Sequence, residues 1–185
     1  MKAIVVGVPG TGKTSVAKGL ERHGWTLVSF GSVMFDVAKD KYELSHRDEM
    51  RTKIPTEDYK HIQAEAAGRI GAMTGDVIID THCSVKKPEG YYPGLPLEIL
   101  NKISPDAFIL VEADPADIRK RREKDAAIRK RPEDPEEHQN VNRYYAAAYS
   151  VLSGAPMSFI DNKQGKLEET QELVAEILSK VRKGS

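Results

Sequence analysis

Apolar residues along this chain fall into short continuous runs, separated by longer stretches in which they recur every third or fourth position. Lys2-Ala-Ile-Val-Val-Gly7 is a β-branched run without alternation, the signature of a strand covered on both faces. Residues 25–30, 76–80, 108–111 and 157–160 repeat that signature, which predicts five strands. Between them the period is helical. Residues 13–22 place Val16 and Leu20 on one face, and 33–40 and 47–53 give two short helices. Pro55-Thr56 opens a long helix with Glu57 and Asp58 in its first turn, where acids complement the helix dipole. Its apolar stripe is Tyr59, Ile62, Ala66, Ile70 and Met73, and Gly75 ends it. Asp114-Pro115 caps the next helix, with proline just inside the start. Residues 136–153 contain no Gly or Pro and align Val141, Tyr145, Ala148 and Leu152 on one face. The last helix, 166–182, has acids early and bases late. Residues 81–97 hold three prolines and two glycines and read as a loop, long enough to be functional. Strands alternating with helices predict an α/β fold, a parallel sheet with helices on both faces.

Composition narrows the class. The 185 residues fit one domain. With 39% hydrophobic and 30% charged residues, the chain is neither a disordered tail nor a membrane protein. Lys and Arg total 28 and Asp and Glu total 28, so the molecule as a whole is not built to attract a polyanion. The single Cys83 rules out an internal disulfide framework and fits a reducing compartment, so a cytoplasmic location is expected. No apolar run reaches the about 18 residues of a membrane span, and the stretch at 3–8 is too short for a signal peptide. There is no internal repeat, low-complexity tract or linker.

Gly7-Val-Pro-Gly-Thr-Gly-Lys13-Thr14 is the strongest chemical signal, fitting the phosphate-binding pattern G-x-x-x-x-G-K-[ST] between a buried strand and a helix. Glycines allow successive backbone N–H groups to face phosphate oxygens, and the following helix presents its unpaired N–H groups to the same anion. The binding set is therefore Gly7, Val8, Pro9, Gly10, Thr11, Gly12, Lys13, Thr14 and Ser15, with Lys13 charging the β- and γ-phosphates and Thr14 offering a hydroxyl to Mg²⁺. Asp80 closes the third strand at the carboxyl edge, where it can hold Mg²⁺ or cap a loop. His82 can read a substrate phosphate or base or be a hydrogen-bonded structural histidine, while Cys83 reads as packing. Arg119, Lys120, Arg121, Arg122, Lys124, Arg129, Lys130 and Arg131 form a basic cluster followed by four acids at Glu133, Asp134, Glu136 and Glu137. A phosphate lid, a solvated helix face and a nucleic-acid contact are its three readings; the neighbouring acids favour the lid over a long polyanion. A GTPase switch is disfavoured, because Asn101-Lys-Ile-Ser104 and Asn162-Lys-Gln-Gly165 both miss the final Asp of a guanine-reading motif.

The phosphate loop, Arg47-Asp-Glu-Met-Arg51, Asp80-Thr-His82, Gly90-Tyr-Tyr-Pro-Gly-Leu-Pro96, Val111-Glu-Ala-Asp-Pro115 and Arg143-Tyr-Tyr-Ala-Ala, taken in order over nearly the whole chain, resemble the archaeal branch of adenylate kinase. The resemblance implies a five-stranded parallel sheet ordered 2-3-1-4-5, a monophosphate-binding part at about 31–74 and a lid at about 121–137. It implies the reaction Mg·ATP + AMP ⇌ 2 ADP, with Mg²⁺ as cofactor and ATP as phosphoryl donor. It assigns Arg121 to stacking on the ATP adenine, Arg129 and Arg131 to the lid, and Arg143 to the transferring phosphoryl. Arg51, His82 and Gly94 fall to the AMP side, and a homotrimer is expected. Two departures stand out: Gly31-Ser-Val-Met-Phe35 lacks the arginine expected after that glycine, and Asp80-Thr-His82 replaces a segment that carries another. Two acceptor-phosphate contacts must come from elsewhere. The lid has no Cys pairs, so no structural zinc is expected. The attacking phosphate oxygen is already ionised at neutral pH, its second pKa being about 6, so no general base is needed. A kinase for another nucleoside monophosphate and a nucleotide-gated RNA-binding or assembly factor are the alternative functions.

Overall fold

The computed structural model describes residues 1–124 and 133–184, apart from the side chains of Asp48, Arg51, Thr52 and Thr56. Five parallel strands, β1 (Lys2–Val6), β2 (Thr26–Ser29), β3 (Val77–Asp80), β6 (Ala107–Glu112) and β7 (Met157–Asp161), form one sheet in the order β2-β3-β1-β6-β7. Counting only these five, this is the expected 2-3-1-4-5. Register sets the site: Asp80, the last residue of β3, lies opposite Val5 on one side and Ser29 on the other.

Each strand divides its residues between two cores, as the pleat requires. Ile4, Val6, Phe108 and Leu110 face α2 (Phe30–Ala38), α4 (Thr56–Gly71), α5 (Leu97–Ile103) and α7 (Pro135–Ser153). Ala3, Val5, Ile109 and Val111 face α1 (Lys13–Gly19) and α8 (Leu167–Lys183) through Val16, Ala17, Val174 and Leu178. A third, small cluster of Val8, Ala113 and Ile118 seats α6 (Pro115–Lys124) on the end of β6. The α4 stripe is as expected: Ile62, Ala66 and Ile70 are buried, with Tyr59 and Met73 packed beside them. The first helix is shorter than its periodicity predicts, passing into a 3₁₀ turn at Leu20–His23 that Gly24 ends in the left-handed region. The second is shifted to begin at Phe30. Residues 47–53 split into a 3₁₀ turn, Arg47–Glu49, and α3 (Met50–Lys53).

Two expectations need correction. Residues 81–97 are not all loop: β4 (Ser84–Lys87) and β5 (Gly90–Pro93) form an antiparallel hairpin, and α5 begins at Leu97. Its prolines misled because Pro88 sits in the two-residue turn and Pro93 at the end of a short strand, positions that need no ladder N–H. Lys86 and Lys87 lie over the Tyr91 and Tyr92 rings at 4.1 and 4.4 Å, covering aromatic faces with their stems. In α7, the Val141/Tyr145/Ala148/Leu152 stripe is not the buried face. Pro135, His138, Gln139, Asn142, Ala146 and Tyr149 are buried instead, while Tyr144 is 77% and Val151 82% exposed. Polar side chains occupy the inner face because they bond to the ends of β6 and the β3–β4 link.

That link is tied at one point. The buried Tyr149 hydroxyl donates to the Cys83 carbonyl (2.7 Å) and accepts the Leu95 N–H (3.3 Å), while the Gly94 N–H donates to the same Cys83 carbonyl (2.8 Å). A Cβ on Gly94 would lie 2.0 Å from the His82 carbonyl oxygen, so only glycine permits this approach. Tyr149→Phe leaves the buried Leu95 N–H without its partner and the Cys83 carbonyl with one donor instead of two, and should lower unfolding stability by about 1–3 kcal/mol in urea titration. An unchanged midpoint would mean the strap carries no weight. Cys83 itself is fully buried, and desolvation pushes its thiol up to about 12. At pH 8 it should resist a thiol-specific disulfide reagent in the folded protein and react stoichiometrically in denaturant.

Candidate functional site

Beyond β1 the chain turns through Gly7–Gly12 into α1. Gly10 and Gly12 have φ of +100° and +85°, which L side chains rarely adopt. The buried Thr11 locks the turn, its N–H and hydroxyl both donating to the Val8 carbonyl at 3.3 and 3.0 Å. At the head of α1, Lys13 Nζ lies 2.5 Å from Asp80 Oδ1 and Thr14 Oγ1 donates to Asp80 Oδ2 at 2.7 Å. Asp80 is thus no mere loop cap: one carboxylate grips both groups that the motif reserves for phosphate and metal. Ser15 is held from behind, its carbonyl accepting from Gln171 Nε2 at 2.8 Å.

The start of the basic cluster folds onto this loop. Arg121 Nη1 donates to the Gly10 carbonyl at 3.1 Å and Nη2 to Gln164 Oε1 at 2.8 Å. Arg122 is only 8% exposed; its Nε donates to the Pro9 carbonyl at 2.8 Å and its Nη1 to the Glu133 carbonyl at 2.7 Å. Arg119 pairs with Asp134 (3.0 Å), which also caps α7 by accepting the Glu136 and Glu137 N–H groups. Those two hydrogen bonds, aided by Arg119 and Arg122, hold the Asp134 carboxyl below its usual range. Asn162, directly after β7, donates from Nδ2 to the Thr11 carbonyl at 2.7 Å. Arg122, Asn162 and Gln164 are site-building residues that motif reading missed. Arg122 lies one helical turn after the buried Ile118, so the phase of α6 marks it as inward-facing. Asn162 and Gln164 carry no such signal, since side-chain contacts across distant loops leave no local pattern.

Arg143 is held by a carboxylate away from the phosphate loop. Its Nε and Nη2 bond Glu112 Oε1 and Oε2 at 2.7 and 2.9 Å, and none of its hydrogen bonds reaches the phosphate loop. The physical reason is register: Glu112 ends β6 on the face that α7 covers, offering a bidentate carboxylate one turn from the helix surface. Next to it, Gln139 pairs with both backbone groups of Ala113, and Asn142 accepts from the Ser84 hydroxyl at 2.5 Å. The buried His138 ring meets that same hydroxyl at 3.1 Å, and burial lowers its pKa.

On the other flank of Asp80, Arg47 Nη1 donates to Ser29 Oγ at 3.3 Å and its guanidinium lies over Gly31. This arginine occupies the surroundings of the segment that lacks one. His82 is exposed and stands two residues after Asp80. The Arg51 side chain, and Arg129 and Arg131 entirely, lie outside the described residues.

A family model described as an AAA domain matches residues 6–140. The adenylate kinase of Pyrobaculum aerophilum is 43% identical over 96% of this chain and 94% of its own, and that of Methanopyrus kandleri is 43% identical over 90% and 91%. A crystal structure of shikimate kinase from Bacteroides thetaiotaomicron covers 97% of this chain and 98% of its own with TM-score 0.59 at 13% identity, which is likeness of fold alone. With the phosphate loop intact and the sequence alike from end to end, the chain belongs to the adenylate kinase family.

Proposed function

We propose that this protein catalyses reversible transfer of the terminal phosphoryl group of ATP to AMP, giving two ADP. The observation that carries the reading is the convergence of Lys13 and Thr14 on Asp80 at the mouth of the phosphate loop, in a chain of this family. The Thr14 hydroxyl and the Asp80 carboxylate, 2.7 Å apart, form a hard-oxygen donor set that suits Mg²⁺. They would hold the ion, which when bound offsets charge on the nucleotide phosphates. Lys13 is then free of Asp80 to meet phosphate oxygens, and Arg121 to stack on the base beside Gln164. Arg129 and Arg131 complete the lid, and water exclusion by that lid separates a kinase from an ATPase.

On the acceptor side, Arg47 supports the assignment by supplying a guanidinium beside Gly31, with Arg51, His82 and Gly94 as the remaining contacts. Arg143 can reach the transferring group only by exchanging Glu112 for it. The arginine is 51% exposed and can turn away, but Glu112 is only 15% exposed, so the exchange gives up a bidentate pair with a largely buried carboxylate. Nucleotide rather than nucleic acid is favoured because Arg121 and Arg122 turn inward onto the loop and Arg119 is paired with Asp134.

The outer face of α7 presents Tyr144, Val151 and Leu152, and edge strand β7 presents Phe159, all more than half exposed. This supports self-association, with the homotrimer as the assembly. No helix among the described residues is long and apolar enough to cross a membrane, and the one cysteine is free, which fits a cytoplasmic enzyme.

With ATP and AMP together, ADP should form rapidly, while ATP alone should be nearly stable; indifference to every monophosphate would sink the reading. Chelating Mg²⁺ should abolish turnover. Lys13→Met and Arg143→Ala should each lower kcat at least a hundredfold with the fold intact by circular dichroism, and Arg47→Ala should raise KM for AMP tenfold without raising that for ATP. Light scattering should give the mass of three chains, and Val151→Glu should give one; a wild-type monomer would remove the assembly.

A further inference from the structure

Three consecutive carbonyls of the phosphate loop are each taken by a side chain from elsewhere in the chain. Arg122 Nε holds Pro9 O, Arg121 Nη1 holds Gly10 O, and Asn162 Nδ2 holds Thr11 O. In a trans peptide the N–H points opposite to the carbonyl. Drawing the Pro9 and Thr11 carbonyls toward α6 and the β7 loop therefore turns the Gly10 and Gly12 N–H groups the other way. Neither N–H has a partner among the described residues, as an anion-binding nest requires.

Of the three donors, Arg122 alone is buried as a charge and alone ties the loop to the segment beginning at Glu133. Its second bond goes to the Glu133 carbonyl, so Arg122 on α6 and Glu133, the two described ends of the expected lid, are joined at one loop. Ile118, one turn earlier, packs on Val8 and seats the same helix on the same loop. The two bonds also diverge in the fixed plane of the guanidinium, a geometry that an ammonium on a flexible stem does not reproduce.

We propose that Arg122 is a positioning residue for the donor phosphates. It touches no substrate; it aims the loop's N–H groups at the triphosphate and fixes both roots of the lid to that loop. The inference rests on the family's kinase activity, and its test does not depend on it. Inorganic tripolyphosphate serves as the probe, since it engages the loop without a base or an acceptor.

Calorimetry on Arg122→Met should show at least tenfold weaker binding of tripolyphosphate and of ATP, with AMP binding within twofold of wild type. In assays, KM for ATP should rise by the same factor and KM for AMP should not. Arg122→Lys keeps the charge but serves one carbonyl well, and should fall between Met and wild type. Asn162→Ala loosens the neighbouring carbonyl without touching the lid and should weaken tripolyphosphate in the same way. If Arg122→Met does not fold, the lysine and Asn162 variants decide. The proposal is overturned if folded variants bind tripolyphosphate within twofold of wild type, or if ATP and AMP weaken together in step with melting temperature. Full rescue by lysine also overturns it, because charge alone would then suffice. Absence of phosphoryl transfer in wild type would instead undo the kinase reading and leave the tripolyphosphate comparison standing.

Discussion

A loop that turns its N–H groups toward an anion must find partners for the carbonyls on its other side. Buried carbonyls without partners cost about as much as the anion's hydrogen bonds return, so the loop cannot be understood apart from what stands behind it. Here the backing comes from three regions far apart in sequence: the Thr11 hydroxyl within the loop, two arginines on α6, and Asn162 after β7. The sheet order makes this possible. With β1 in the centre and β6 and β7 successively beside it, the elements that follow those strands emerge next to the loop. On the opposite flank, β3 delivers Asp80 level with Val5, within reach of Lys13 and Thr14.

Charge follows the same rule of prior occupation. Lys13 is held by Asp80, Arg143 by Glu112, Arg119 by Asp134, and Arg121 and Arg122 by backbone carbonyls. A zero net charge is therefore compatible with polyanion chemistry: the positive groups are local and already paired with oxygens that a phosphate can replace. Cations kept on carboxylates are positioned without an unpaired buried charge, whose desolvation the fold could not sustain. The exposed pair of Arg119 exchanges cheaply; the buried guanidinium of Arg122 does not, and its hydrogen bonds go to the Pro9 and Glu133 carbonyls, with the Glu133 carboxylate 4.0 Å away.

Much of this was legible in the sequence wherever a short-range pattern carries the information. The β-branched runs mark all five sheet strands within a few residues, the α4 stripe marks its buried face, and the phosphate loop announces its chemistry by spacing alone. Asp80 could be placed at the mouth of the loop because it ends a strand at the carboxyl edge, level with Val5. What failed was long-range. The hairpin at 84–93 was hidden because Pro88 sits in its two-residue turn while Gly90 opens β5 and Pro93 closes it. The Arg143 partner was invisible because Glu112 is brought to it only by the packing of α7 on β6. Arg47 beside Gly31 is of the same kind: the gap in the motif was visible, but not the residue 16 positions away that approaches it.

The reversal of faces on α7 follows from the same constraint that shapes the loop. The carboxyl ends of β3 and β6 present backbone groups that have run out of strand partners, and a helix packed against them must bring polar atoms. Gln139 satisfies both groups of Ala113, Asn142 and His138 engage Ser84, and Tyr149 serves Cys83 and Leu95. Those duties occupy the inner face of the helix at successive turns, and its larger apolar residues are left outside. An amphipathic helix ordinarily buries its apolar side for stability; here that side is traded for bracing of the site. Tyr144, Val151 and Leu152 are left on the outer face for the same reason that Gln139, Asn142 and Tyr149 are turned inward, so the exposed apolar face and the bracing of the site both follow from one helix.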